Sequence, residues 1–157
     1  MTSFSPESFL GTNYSEGFDT RYAVHRPGDF KGYVGKDARD INAREVQTKD
    51  GPRVVVDVAL YTDNPEAVGE GGKAPARARM SIWIDQTESG SLDRAPGKNR
   101  QLGAFLLALG FQDKTGMQVK PWSWQSFHGM SIGYRVVHEA RKDTGDIVAN
   151  VSGVVPA

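Results

Sequence analysis

An alternation of apolar and polar residues over positions 76–86, in the segment ARARMSIWIDQ, constrains the fold more than any other feature of the chain. Side chains of an extended strand point alternately to its two sides, so every second residue shares a side. One side is entirely apolar and consists of Ala78, Met80, Ile82 and Ile84. The other side consists of Arg77, Arg79, Ser81 and Trp83. The segment predicts a half-buried strand that turns two arginines and a tryptophan towards water.

Turn signals and further strand patterns surround this segment. Asp50 and Gly51 both tolerate positive φ, so TKDGP predicts a hairpin between the strands INAREV and RVVVDVALYT. Before the hairpin, GDFKGYVGK predicts a bent first strand that resumes near INAREV. Towards the end of the chain, HGMSIGYRVVHEA and IVANVSGVVP predict a last pair of strands, with Tyr134 on the core side.

A single helix is expected between these two groups of strands. The segment KNRQLGAFLLALG has one apolar stripe at helical spacing, followed by Gly110 at the position of a left-handed C-terminal cap. The stripe consists of Leu102, Phe105, Leu106 and Leu109. The order predicts a mainly β fold, a five-stranded OB-type barrel with one helix between strands 3 and 4. An open α+β sandwich is the alternative.

Length and composition set the domain organisation. A chain of 157 residues is one domain by size, and 18 glycines and 8 prolines favour short elements joined by turns. We expect residues 1–27 to form an arm, docked or mobile, and residues 28–157 to form the domain. Cysteine is absent, which excludes disulfides and thiolate metal sites. Without a long apolar run or a signal peptide, a cytoplasmic protein with no membrane contact is expected.

Three segments in this order resemble a family. They are RPGDFKGYV at the first strand, GKNRQLGAFLLALG at the helix, and FHGMSIGYRVV followed by IVANVSGVVPA at the closing hairpin. Together they resemble phage-encoded single-stranded-DNA-binding proteins of OB-fold type, a family that includes domains of unknown function. The resemblance implies a protein of the host cytoplasm that coats single strands in DNA replication or recombination. It also implies contacts with replication or recombination proteins.

Two features differ from that family. The sequence ends at VSGVVPA, without the acidic run that such proteins often carry. Its 19 basic residues are balanced by 19 acidic residues, so any surface that binds an anion is local.

The polar side of the strand at 77–86 has the side chains that a single-strand binder uses. Basic residues follow phosphates, and aromatic rings stack on bases. Arg77, Arg79 and Trp83 supply both, and Tyr61 and Arg53 share their side if the hairpin register holds. Lys31 and Tyr33 extend the same surface. The alternative for Trp83 is packing beneath the arm or the helix.

Three further candidates lie outside these strands. Trp122 and Trp124 are predicted either to form a second stacking site or to plug one end of the barrel. Lys73, in the glycine-rich segment GEGGKAP, can contact phosphates from a loop or lie in solvent.

We expect no catalytic activity, cofactor or metal. GMSIG matches a nucleophile elbow, but such an elbow needs a helix after the serine, whereas YRVVHE predicts a strand. The histidines lack the spacing of a helical metal pair. The sequence therefore favours sequence-independent binding of single-stranded DNA. The alternative is a non-catalytic protein-interaction module, a replisome adaptor or virion component on the same barrel, and either protein can be a homo-oligomer.

Overall fold

The computed structural model describes residues 4–15 and 23–157 and shows a mainly β protein. Its one mixed sheet has six strands: β1 (Gly28–Val34), β2 (Ile41–Thr48), β3 (Gly51–Thr62), β4 (Ala76–Ile84), β5 (Ser131–Ala140) and β6 (Ile147–Val155). The described residues also contain two α-helices, α1 (Pro6–Gly11) and α2 (Arg100–Leu109). Short 3-10 turns occupy Ala38–Asp40, Pro65–Ala67 and Trp124–Phe127.

The strand pairings form a ring. Along the sheet the order is β1-β5-β6-β4-β3-β2, and the end of β1 also pairs with the end of β3. Five strands are therefore linked in a circle, while β2 pairs with the first part of β3. The pairing of β4 with β6 is parallel and consists of one residue pair, Arg79 with Asn150, whereas the other pairings are antiparallel.

The predicted number of five strands differs from the observed six. The bent first strand is divided, because the 3-10 turn at Ala38–Asp40 separates β1 from β2. Side chains within the turn hold it in place: the Asp37 N–H donates to Asp40 Oδ2 at 3.1 Å, and the Arg39 N–H donates to Asp37 Oδ1 at 3.4 Å. These local bonds replace ladder hydrogen bonds, so the strand is interrupted there.

The predicted hairpin and helix are confirmed. Thr48 pairs with Gly51 at the turn, and the register continues back to Ile41 opposite Val58. Helix α2 ends at Gly110, whose φ of 82° is the left-handed conformation expected of a glycine cap.

The core lies between α2 and the inner sides of the strands. The apolar side of β4 is buried as predicted, and so is the predicted stripe of α2, which packs against β4, β5 and β6. Tyr134 is 2% exposed, which confirms its predicted place in the core. The opposite sides of β3 and β4 therefore face away from the core.

Residues 23–26, at the end of the predicted arm, dock onto this core. The Arg26 N–H donates to the Ala67 carbonyl at 2.8 Å, and His25 is 3% exposed. Nδ1 of His25 lies 2.8 Å from the Arg26 carbonyl, which only accepts, so Nδ1 carries the proton and Nε2 accepts from the Tyr134 hydroxyl at 2.9 Å. His138 Nε2 donates to the His25 carbonyl at 2.7 Å. Burial lowers the pKa of His25, so the ring is a neutral link to β5.

Candidate nucleic-acid interface

The outer side of β4 carries the predicted polar residues. Arg77 and Arg79 are exposed, and Trp83 is half-buried, while every intervening apolar residue is buried. The strand is thus apolar towards the core and basic and aromatic towards the outside, as its alternation predicts. We call the outer sides of β3 and β4, together with Tyr33, the outer face.

The pairings of β3 with β4 and of β1 with β3 extend this row onto neighbouring strands. Tyr61 of β3 lies directly opposite Arg77 of β4, and Tyr33 of β1 lies directly opposite Tyr61. Directly opposed residues share one side of a sheet, so all three lie on the outer face. The Tyr33 and Tyr61 rings are stacked, with centroids 6.0 Å apart and planes 20° apart. The structure therefore brings two aromatic rings and an arginine from three strands into one row.

Both tyrosine rings of this row are uncharged at neutral pH. Burial raises the pKa of Tyr61, and the hydrogen bond from its hydroxyl to Asp40 Oδ1, 2.9 Å long, raises it further. Burial likewise raises the pKa of Tyr33, together with the nearby carboxylates of Asp63 and Asp40. The Lys36 ammonium lies 5.2 Å from the centre of the Tyr33 ring, a cation–π distance. The rings are thus neutral surfaces for stacking, with the Lys36 cation and the Asp40 and Asp63 carboxylates around them.

The Trp83 ring, with Arg53 beside it, is a second aromatic site on the outer face, near the C-terminal end of β4 and away from the Tyr33–Tyr61 pair. The Arg53 guanidinium carbon lies 5.2 Å from the centre of the Trp83 ring, and Arg53 Nη2 donates to Asp85 Oδ1 at 2.9 Å. Val55, directly opposite Trp83 on the outer face, is fully buried. Trp83 therefore lies beside a buried valine while part of its own surface remains exposed.

One carboxylate, that of Asp57, lies within the outer face. Arg44 Nε donates to Asp57 Oδ2 at 2.6 Å, and Ser81 Oγ donates to Asp57 Oδ1 at 2.7 Å. Burial favours the protonated acid, but the hydrogen bonds from Arg44 and Ser81 and the charges of Arg44 and Arg79 together hold the pKa of Asp57 below its usual range. Its charge is thus already compensated. Among the described residues, neither Arg77 nor Arg79 forms a salt bridge.

The remaining predicted residues lie apart from this row. Lys31 is exposed on β1, on the same side as Tyr33, and Lys73 is exposed in the loop between β3 and β4. Trp122 and Trp124 contact Phe127 instead, with ring centroids 5.5 and 5.7 Å from it. Phe127 is fully buried, and the two tryptophans pack partly buried against the core beside it.

Sequence reasoning missed two basic residues of this surface, Arg44 and Lys36. The signal for Arg44 was present, since the Asp50–Gly51 hairpin pairs it with Val55. Lys36 had no such signal, because it reaches Tyr33 from the irregular segment after β1.

Within residues 4–15 and 23–157, no three acidic or histidine side chains lie close enough together to hold a metal ion. Over the same ranges, no helix has the length and apolar character needed to cross a membrane. Comparison of the sequence with known proteins gives no match, either to a family model or to a curated protein.

Proposed function

We propose that this protein binds single-stranded DNA, without base-specific recognition and without catalysis, on the outer face. The observation that carries the proposal is the row of Tyr33, Tyr61 and Arg77 across three strands, continued along β4 by Arg79 and Trp83. Stacking rings and backbone-contacting cations are the two components of sequence-tolerant strand binding.

The spacing of the two aromatic sites, the Tyr33–Tyr61 pair and Trp83, suits an extended single strand of DNA. Arg77, opposite Tyr61, and Trp83 are six residues apart on β4, which corresponds to about 20 Å at about 3.3 Å per residue. Arg79 and Ser81 lie between them. A bound DNA strand stacks one base at each aromatic site, and Arg77 and Arg79 contact its phosphates.

We further propose that the ring of strands is an OB-type barrel formed by residues 28–157. Counted as one interrupted strand, β1 and β2 reduce the six strands to five, with α2 between the third and the fourth. The parallel pairing of β4 with β6 and the antiparallel pairing of β1 with β5 support a closed ring of these five. Oligonucleotides bind OB-folds on the face of their second and third strands, which are β3 and β4 here.

The biological setting follows from the resemblance of the sequence segments to phage proteins. In that setting the protein coats single strands in the host cytoplasm during phage DNA replication or recombination. Replication or recombination proteins are its expected protein partners.

A fluorescence titration with oligothymidine at two salt concentrations tests this function. The account predicts quenching of tryptophan emission and weaker binding at the higher salt concentration, because phosphate contacts release counterions. An unlabelled duplex of equal length serves as the competitor and is expected to displace the oligonucleotide poorly. The absence of both quenching and salt dependence would refute the proposal.

A protein-interaction module is the second candidate, and one observation favours it. Large apolar side chains of the N-terminal segment are exposed, and α1 buries none of its residues. These side chains are Phe4, Phe9, Leu10 and Tyr14. An adaptor or virion component would use them to bind another protein, and would show no response to oligothymidine.

A further inference from the structure

An open trough of about 610 Å³ lies on the outer sides of β1, β5 and β6. Gly133 of β5 and Gly153 of β6 lie on its floor, diagonally across the β5–β6 pairing. Its walls include Lys31, Arg135 and Val155. A volume of this size falls within the range of small-molecule sites, roughly 300–1,000 Å³.

The two glycines differ in what the fold requires of them. A Cβ at Gly133 would lie 2.8 Å from Cγ2 of Val155, so packing requires glycine there. A Cβ at Gly153 would meet nothing within 4 Å, and its φ is not positive. Glycine inside a strand is unfavourable, and it often marks a place where a ligand approaches the backbone closely. Gly153 also lies at the β-bulge between β5 and β6, where glycine is common, and a side chain at this position would enter the trough.

The trough adjoins the outer face. Lys31 lies opposite Gly133 in the β1–β5 pairing, and Tyr33 is the next residue of β1 on the same side. Tyr33 stacks on Tyr61, which is opposite Arg77. A continuous outer surface thus runs from β4 across β3 and β1 to the trough.

The chemistry of the trough suits a nucleotide. Val155 and Pro156 offer apolar surface to a base, and the Lys31 ammonium is exposed for a phosphate. Arg135 is partly neutralised, since its Nε and Nη2 donate to the Asp29 carboxylate at 2.8 and 3.1 Å. Lys31 is therefore the main cation of the trough.

We infer that the glycine-floored trough binds the nucleotides that follow those on the outer face, so that a long strand passes over the Tyr33–Tyr61 stack into it. This inference rests on the proposed function. It predicts that a long oligonucleotide binds more tightly than a short one because it fills both surfaces.

The test compares Gly153→Leu with the unchanged protein, using oligothymidines of about 5 and about 15 nucleotides, near the two ends of the site sizes of single OB-folds. The leucine side chain projects into the trough from a Cβ that has no neighbour within 4 Å, and we expect at least a tenfold loss of affinity for the long oligonucleotide. Affinity for the short one is expected to stay within twofold, and the melting temperature to stay equal or rise. Gly11→Leu is the matched control, because Gly11 also has no neighbour within 4 Å and lies in α1.

The possible failures are distinguishable. If the unchanged protein binds neither oligonucleotide, the proposed function itself fails. If it binds both and Gly153→Leu binds the long one equally well, the trough is not part of the path. Equal losses in Gly153→Leu and Gly11→Leu, or a loss for the short oligonucleotide as well, would also overturn the inference.

Discussion

Trp83 is the residue for which two roles are considered, stacking on a base of bound DNA and packing against the protein. Its ring lies beside the buried Val55 and next to the Arg53 guanidinium, yet part of it faces outwards. A ring that served the core alone would be buried like Tyr134. The geometry is compatible with a stacking surface already oriented by its neighbours.

Replacement of Trp83 by alanine should weaken binding of oligothymidine by about 1–3 kcal/mol, the usual value of one base–aromatic stack. Trp83→Phe keeps a stacking ring and serves as the control, with a smaller loss expected. Fluorescence anisotropy of a labelled oligonucleotide measures both variants, since it does not depend on tryptophan emission. An alanine variant with unchanged affinity but a lower melting temperature would assign the ring to packing.

The arginines of β4 should act through charge alone. Arg77 and Arg79 are exposed and form no salt bridge among the described residues, so both are available to phosphates, although the charge of Arg79 also acts on the Asp57 carboxylate. The double variant Arg77→Ala, Arg79→Ala is expected to reduce the slope of log affinity against log salt by about 1.4, or about 0.7 for each contact. Anisotropy at several salt concentrations measures the slope. The double variant Arg94→Ala, Lys114→Ala removes two other exposed cations, and an equal effect there would contradict the assignment.

For single residues, the sequence predicted the side of the strand on which each one lies, but not the residues of other strands that it contacts. Alternation along each strand placed Arg77, Arg79 and Trp83 on the polar side of β4 and Tyr61 on the polar side of β3, and the β3–β4 pairing brings these two sides together. The Tyr33–Tyr61 stack depends on the pairing of β1 with β3, two strands that are not consecutive in the chain. No local pattern encodes such a pairing.

Among the elements, α2 was predictable and the docking of residues 23–26 was not. The stripe of α2 and its glycine cap are local signals, and Phe105 is fully buried as the stripe requires. The burial of His25 has no local sequence signal, because it depends on Tyr134, 109 residues further along the chain. The sequence predicts that the first strand resumes near INAREV, as β2 does, but the 3-10 turn between β1 and β2 depends on side-chain bonds of Asp37 and Asp40 that no strand pattern shows.

The docking of His25 should make stability depend on pH. Its pKa is lowered by burial, so below its ordinary value of 6.5 the unfolded chain takes up a proton that the folded chain resists. Stability is therefore expected to fall as the pH drops below 6.5. Melting temperatures between about pH 7 and about pH 5 should decrease less in His25→Gln than in the unchanged protein. Parallel curves for the two proteins would show that His25 does not contribute.

For the whole molecule, the boundary of the folded unit can be located by truncation. Helix α1 buries none of its residues, whereas His25 is buried against β5. Removal of residues 1–20 should leave cooperative unfolding with a melting temperature close to that of the full chain. Removal of residues 1–27 also deletes His25 and should lower the melting temperature clearly. Circular dichroism during heating measures both, and similar effects of the two deletions would refute this boundary.

The net charge of zero is compatible with strand binding only if cations are concentrated on one surface. On the outer face, the carboxylate of Asp57 is compensated by Arg44 while Arg77 and Arg79 remain exposed. The carboxylates of Asp40 and Asp63 lie beside the Tyr33–Tyr61 pair and act against an anion there. Whether a single strand binds at the outer face is therefore the central question.

One measurement on the three tryptophans of the chain, at positions 83, 122 and 124, tests binding at the outer face. Each indole N–H gives its own signal in a nitrogen–proton NMR spectrum, and substitution of each tryptophan in turn assigns the signals. On titration with oligothymidine, the account predicts that the Trp83 signal shifts while those of Trp122 and Trp124, packed on Phe127, stay in place. Shifts of Trp122 and Trp124 with Trp83 unchanged, or no shift of any of the three, would contradict it.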